Sequence, residues 1–197
     1  DTISGGSGND LLSGGASGDT INGDDPNDSS VIGDDTIEVR YVATAPGEFD
    51  VEAFKAAVEV VFTAQEIIVG NADYPTEKIG ENSRKFRQLG IGYANIGALL
   101  MASGLPYDSD EGRAWAAAIT ALMTGHSYAT SARTAGRMGP HAGFHENAEP
   151  MLNVLRMHRD ATYEIDGTKV PTELLEAAQR AWEDAVELGQ KYGVRNA

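Results

Sequence analysis

DSDEGRAWAAAITALMTGHSYATSARTAGRMGP, residues 108–140, decides the fold of most of this chain. Trp115, Ile119, Leu122 and His126 recur at spacings of three and four, which places them on one face of an α-helix. Ala114, Ala116, Ala117, Ala118 and Ala121 keep that helix thin, so neighbours can approach closely. Asp108 with Glu111 three residues later has the form of a capping box, and Gly139-Pro140 cannot continue the helix. The pattern predicts a long helix from Asp108 toward Arg137. His126 falls on its apolar stripe and reads as a hydrogen-bonded core histidine.

Upstream, Asp50 can cap a helix carrying Phe54, Val58, Val61, Phe62, Gln65 and Ile68. Tyr74-Pro75-Thr76 breaks it, and a short polar helix through Ser83 follows. The stretch from Arg87 to Tyr93 is short, apolar and flanked by glycine, which predicts a buried strand. A further helix covers about Asn95 to Ser103 and stops at Gly104-Leu105-Pro106. Downstream, a loop through Phe144 and Asn147 leads to a helix around Pro150–Tyr163. The last helix has Pro171 in its first turn, a buried stripe of Leu174, Ala178, Trp182, Ala185 and Leu188, and a stop at Gly193. The fold class is therefore mainly α with few strands.

Residues 1–37 have a different texture. Asp1, Asp10, Asp19 and Asp28 stand nine residues apart, and Ile3, Leu12 and Ile21 follow the first three at a constant offset. GGSGNDLLS and GGASGDTIN are two full nine-residue units, a third from Gly23 degenerates, and GDDTI at 33–37 is a last echo. Glycine permits the tight turns such units need, and aspartate offers a hard oxygen ligand. Asp10, Asp19 and Asp28 are the candidate calcium ligands. At least about three repeats are usually needed for such a stack to be stable. The segment is thus either a short β-roll-like stack or a disordered Gly/Asp-rich linker. The expected organisation is repeats at 1–37, a linker at 38–48 and a helical domain at 49–197.

Composition narrows the function classes. The net charge is −15 over 197 residues, and residues 1–50 hold 11 acidic side chains against the single base Arg40. Such a surface repels phosphate backbones, which argues against nucleic-acid binding by charge. No apolar run reaches the roughly 18 residues of a membrane span. Asp1 in place of Met points to a chain that continues upstream. Zero cysteines exclude disulfides, thiolate metal sites and thiol chemistry by this chain.

The remaining motifs weigh toward structure. Gly90, Gly92 and Gly97 follow the predicted strand, but the third glycine comes five residues after the second, where a dinucleotide fingerprint needs three. His141 and His145 are four apart, yet Gly139, Pro140 and Gly143 interrupt any helical face, and HExxH is absent. Asp108, Asp110 and Glu111 serve helix capping; Glu183, Asp184 and Glu187 read as a solvated face.

FDVEAF at 49–54, VVFTAQEIIVGNADYPTEKIGENSRKFRQLGIGYANIGALLMASGLPYDSDEGRAWAAAITALMTG at 60–125, MGPHAGF at 138–144, MLNVLRMHRDA at 151–161 and LGQKYGVRNA at 188–197 carry a further signal. This text resembles the catalytic α/β barrel domain of adenosylcobalamin-dependent (class II) ribonucleotide reductases. The resemblance covers about three quarters of the chain. It implies a barrel fragment, a ribonucleotide substrate and a homodimer in the full-length family, and a cytoplasmic setting. Residues 1–37 resemble secreted RTX-type calcium-binding repeats, which imply the exterior instead.

The reductase family works through a cobalamin-generated thiyl radical, a reducing cysteine pair and an Asn-x-Cys-x-Glu loop. That loop and one reducing cysteine normally precede the Phe49-like position, and a phosphate-binding Pro-Thr-Gly-Thr segment normally follows the Ala197-like one. No catalytic residue of the family is expected here, and no residue is assigned to cobalamin. The leading expectation is a non-catalytic reductase fragment behind a repeat remnant. The alternatives are a secreted calcium-binding module with a helical partner, or a junction of two unrelated reading frames.

Overall fold

The computed structural model describes residues 49–196 and four three-residue strands ahead of them. The chain divides into two compact units, Asp1–Thr44 and Ala45–Ala197. In the first, β1 (Thr2–Ser4) pairs in parallel with β3 (Thr20–Asn22), Thr2 opposite Thr20. Likewise β2 (Leu11–Ser13) pairs in parallel with β4 (Thr36–Glu38), Leu11 opposite Thr36. The β1–β3 register of eighteen residues is two lengths of the nine-residue repeat. Asp10, Asp19 and Asp28 lie outside the described residues.

The second unit contains six helices among its described residues: α1 (Val51–Asn71), α2 (Glu77–Phe86), α3 (Ile96–Ala102), α4 (Asp110–Met138), α5 (Phe144–Thr162) and α6 (Thr172–Tyr192). The 29-residue α4 is the central rod. It packs mainly along α6, with α1 against it and α5 against α6. Trp115, Ile119, Leu122 and His126 are all buried on it, as the spacing requires. Where α4 faces α6, its side chains are small. A Cβ on Gly125 would stand 2.9 Å from the Trp182 ring and 3.1 Å from the Trp182 backbone nitrogen, so this contact admits only glycine. Trp182 is then enclosed with Ala129, Ala132, Phe144, Leu155, Ala185, Val186 and Val194. His158 covers the indole in a stacked arrangement, ring centroids 5.0 Å apart.

Two buried hydroxyls of α4 are satisfied within the helix itself. Ser127 Oγ donates to the Met123 carbonyl, and Thr130 Oγ1 to that of His126, each one turn back. The buried hydroxyl of Ser131 reaches Asn196 instead.

Three expectations are corrected. No strand forms at residues 87–93: the segment runs irregularly between α2 and α3. Arg87 caps α2 in the left-handed region (φ 51°), and the described residues of this unit contain no strand, so within the unit the segment has no ladder to join. The long helix begins after Ser109, whose Oγ accepts from Gly112 N at 2.9 Å. Asp108 instead accepts from Arg113, so the capping role belongs to its neighbour. The buried face of α1 is Phe54, Val58, Phe62 and Glu66, a strict four-residue row, while Val61 and Ile68 of the predicted stripe are exposed. Asp50 caps α1 as expected, accepting from Ala53 N. Pro150 lies inside α5 just beyond a kink at Asn147 (φ −122°), where its missing N–H falls in the first turn after the break. Pro171 is the N-cap of α6, and Gly193 ends it at φ 74°.

Replacing Ser109 by Ala should lower stability by about 1 kcal/mol, whereas Asp108→Ala should stay within about 0.5 kcal/mol. Urea denaturation of the two variants checks this; the reverse order would restore the Asp108 cap.

Candidate functional site

The row Phe54, Val58, Phe62 continues one turn further onto a carboxylate. Glu66 is only 9% exposed, and so is Arg87. Arg87 Nε donates to Glu66 Oε2 at 3.0 Å and Arg87 Nη2 to Oε1 at 2.7 Å, a two-pronged pair. The same Nη2 also reaches the Glu66 carbonyl at 2.7 Å. Gly70, one turn on from Glu66, makes room for it: a Cβ there would lie 3.1 Å from Nη2.

The last described residues close on the same carboxylate. Arg195 Nε donates to Oε1 at 2.8 Å, and Asn196 Nδ2 to Oε2 at 2.6 Å. Asn196 Nδ2 also donates to the Arg87 carbonyl, and Asn196 N donates to Ser131 Oγ. Glu66, Arg87, Ser131, Arg195 and Asn196 thus join α1, the end of α2, α4 and the C-terminal segment into one buried knot.

Counting donors fixes what this knot can do. An ionised carboxylate has about four acceptor positions. Glu66 fills two on each oxygen, from Arg87 Nη2 and Arg195 Nε on one and from Arg87 Nε and Asn196 Nδ2 on the other. Burial alone would raise its pKa, but the hydrogen bonds from Arg87, Arg195 and Asn196, with the Arg87 charge, outweigh it and hold the group below its ordinary 4.5. A carboxylate that is saturated and kept ionised is no general acid or base. It is a fastening.

A second polar group lies on the α1–α4 contact. His126 Nε2 is 3.3 Å from Glu59 Oε2, outside hydrogen-bond geometry, and Arg133 donates to the same oxygen. Burial, helped by the Arg133 charge, lowers the His126 pKa below 6.5. This histidine is therefore a neutral core group, though not the hydrogen-bonded one expected. His141 is 4% exposed beside Phe86 and Phe144, and burial depresses its pKa as well. His141 and His145 do not converge with acids: no group of three or more His, Asp or Glu suited to a metal occurs among the described residues. Asp110 is engaged by Arg113 and Lys169, and Glu183 accepts from the Tyr163 hydroxyl.

None of the knot's five residues was singled out from the sequence for a role. The available signal was a lone acid, Glu66, inside the apolar run VVFTAQEIIVG, in phase with Phe62.

A family profile described as "Ribonucleotide reductase, barrel domain" matches residues 36–197. The chain belongs to that family. It is 53% identical over 152 residues to a vitamin B12-dependent ribonucleotide reductase of Streptomyces avermitilis, covering 76% of this chain and 16% of that one. A protein of the same name from Rhodopirellula baltica is 48% identical over 162 residues, 82% of this chain and 16% of that one. Another from Bradyrhizobium diazoefficiens is 44% identical over 174 residues. The chain thus spans about a sixth of the length of these relatives, and every member of the Glu66 knot lies within the matched family region.

Glu66→Gln should cost about 3–5 kcal/mol, because it leaves two largely buried guanidiniums short of their counter-charge. The pH profile has two limbs. His126 and His141 have depressed folded pKa values, so the unfolded chain takes up protons first and stability falls as pH drops below about 6.5. Glu66, also depressed, supplies stability that is complete above about 4.5 and is lost as pH falls through its folded value. Thermal melts from pH 8 to 3 should show the lower limb flattened in Glu66→Gln; an unchanged limb would contradict the assignment.

Proposed function

We propose that this chain is a helical part of the barrel of a vitamin B12-dependent ribonucleotide reductase, and that it acts in converting ribonucleotides to deoxyribonucleotides as part of a longer enzyme in the cytoplasm. The observation that carries the reading is the 53% identity maintained over 152 residues, in a stretch whose buried knot joins residues as far apart as Glu66 and Asn196. Its role is architectural: it supplies a braced set of helices on which catalytic segments are mounted. The chain has no cysteine, so the thiyl radical and the reducing thiols belong to other segments. One open cleft of about 480 Å³ is lined by Arg159, Asp160, Tyr163, Glu183 and Glu187 among others, a mixed polar surface.

A second reading applies to Asp1–Thr44 and is favoured by one observation, the parallel β1–β3 pairing at a register of two repeat lengths. Asp10, Asp19 and Asp28 would there supply calcium ligands to a short stack. A calcium titration followed by circular dichroism should then show a gain in β signal at millimolar calcium, the usual range for extracellular modules at about 10⁻⁴–10⁻³ M. A flat response would leave the segment as a linker.

Incubated with adenosylcobalamin, a dithiol and ribonucleoside diphosphate, the chain alone should form no deoxyribonucleotide above the blank. Product above the blank would overturn the architectural reading.

A further inference from the structure

We infer that the Glu66 knot is also an anion receptor, in which Arg195, with Arg87 beside it, holds a small oxyanion of the phosphate class at the solvent edge of the cluster.

Glu66 is saturated in hydrogen bonds, yet the charges of the knot do not cancel. One carboxylate serves two guanidiniums, those of Arg87 and Arg195. Among the described residues no other carboxylate forms an ion pair with either arginine, and Ser131 and Asn196 are neutral. A single positive charge is therefore left over. Such a charge is costly in a largely buried setting unless a counter-ion meets it. The chain as a whole carries −15, so the knot is a positive island in an acidic protein.

The surplus has an open side. The Arg195 side chain is 18% exposed, against 10% for Arg87 and 11% for Glu66, so the mouth of the knot lies at Arg195. Both arginines turn Nε toward Glu66, and donors remain on their other edges. Arg195 Nη2 and Arg87 Nη1 make no hydrogen bond among the described residues, and neither is sealed from solvent. Arg195 Nη1 reaches only the Gly139 carbonyl, at a long 3.4 Å. A Cβ on Gly139 would meet nothing within 4 Å, so the space beside that contact is empty of protein. His141 senses the same field: burial first, and after it the Arg195 charge, lower its pKa.

The free donors define the ligand. Guanidinium edges hold carboxylates and phosphates through charge-assisted hydrogen bonds. Here the two edges belong to separate segments, the cap of α2 and the stretch after α6. A tetrahedral oxyanion accepts along several directions at once, which suits donors brought from two segments better than a planar carboxylate does. Its negative charge offsets the surplus while every bond to Glu66 stays in place.

Inorganic phosphate is the probe, titrated into the whole chain against chloride at equal ionic strength while NMR follows the arginine side-chain N–H signals. The Arg195 Nε signal should move and saturate with a dissociation constant of about 1–10 mM. The signal of Arg180, whose side chain is 70% exposed beside Glu176, should stay put. At about ten times that constant the melting midpoint should rise by roughly 3–6 °C. Arg195→Gln should abolish the rise and Arg180→Gln should keep it. Should Arg195→Gln fail to fold, the titration of the unaltered chain decides alone. An Arg195 signal that does not move, or that moves only in step with every other arginine, overturns the receptor. A folded Arg195→Gln chain that retains the phosphate-dependent rise overturns it too. Acetate binding as tightly as phosphate overturns the phosphate class.

Discussion

A carboxylate placed on the buried row of an apolar helix must have its acceptor positions filled largely by protein, because little water reaches them and an unpaired charge there is costly. Glu66 meets that demand with partners from far away in the chain: Arg87 21 residues on, Arg195 129 and Asn196 130. Each donor comes from a segment that no regular element holds. Arg87 is a left-handed helix cap, and Arg195 and Asn196 follow the last helix. The electrostatic requirement of one side chain thus becomes the geometry of three connections.

The knot and the apolar core divide the task between them. Burial of Trp182, Leu122, Leu155 and Leu174 drives the collapse of α4, α5 and α6, since apolar area is the main favourable term in folding. Such contacts are not directional, and they leave loops and termini free. The knot is directional, and Ser131 on α4 is its bridge to the core, holding the backbone of Asn196 through its hydroxyl. The α4–α6 contact is fixed by fit instead, Gly125 against Trp182. A braced helical block of this kind suits a barrel segment that must present neighbouring chain in a defined position.

Much of this was legible in the sequence, and what escaped has identifiable causes. Helix periodicity depends on local spacing, so α1, α4 and α6 and their Phe54, Leu122 and Trp182 rows were readable. Asp108 and Ser109 are adjacent residues with similar capping ability, and only the dihedral angles distinguish them; the sequence reading chose the wrong one. Leu89-Gly90-Ile91-Gly92 has the composition of a strand, but a strand exists only with a neighbour, and pairing is not a local property. The knot was missed because its members are separated by up to 130 residues and each looks ordinary in its own surroundings. The resemblance to the reductase barrel, by contrast, rested on long uninterrupted text, and the family match extends it upstream to residue 36.

The central claim is that Glu66 and the C-terminal segment stabilise each other, so that the ordering of Asn196 depends on a residue 130 positions earlier. A double-mutant cycle of Glu66→Gln and Asn196→Ala, measured by urea unfolding, tests it most directly. Residues in one buried hydrogen-bond network should show a coupling energy of about 1–3 kcal/mol. Additive effects within about 0.3 kcal/mol would mean the two residues act independently, and the knot would not be what holds these segments together.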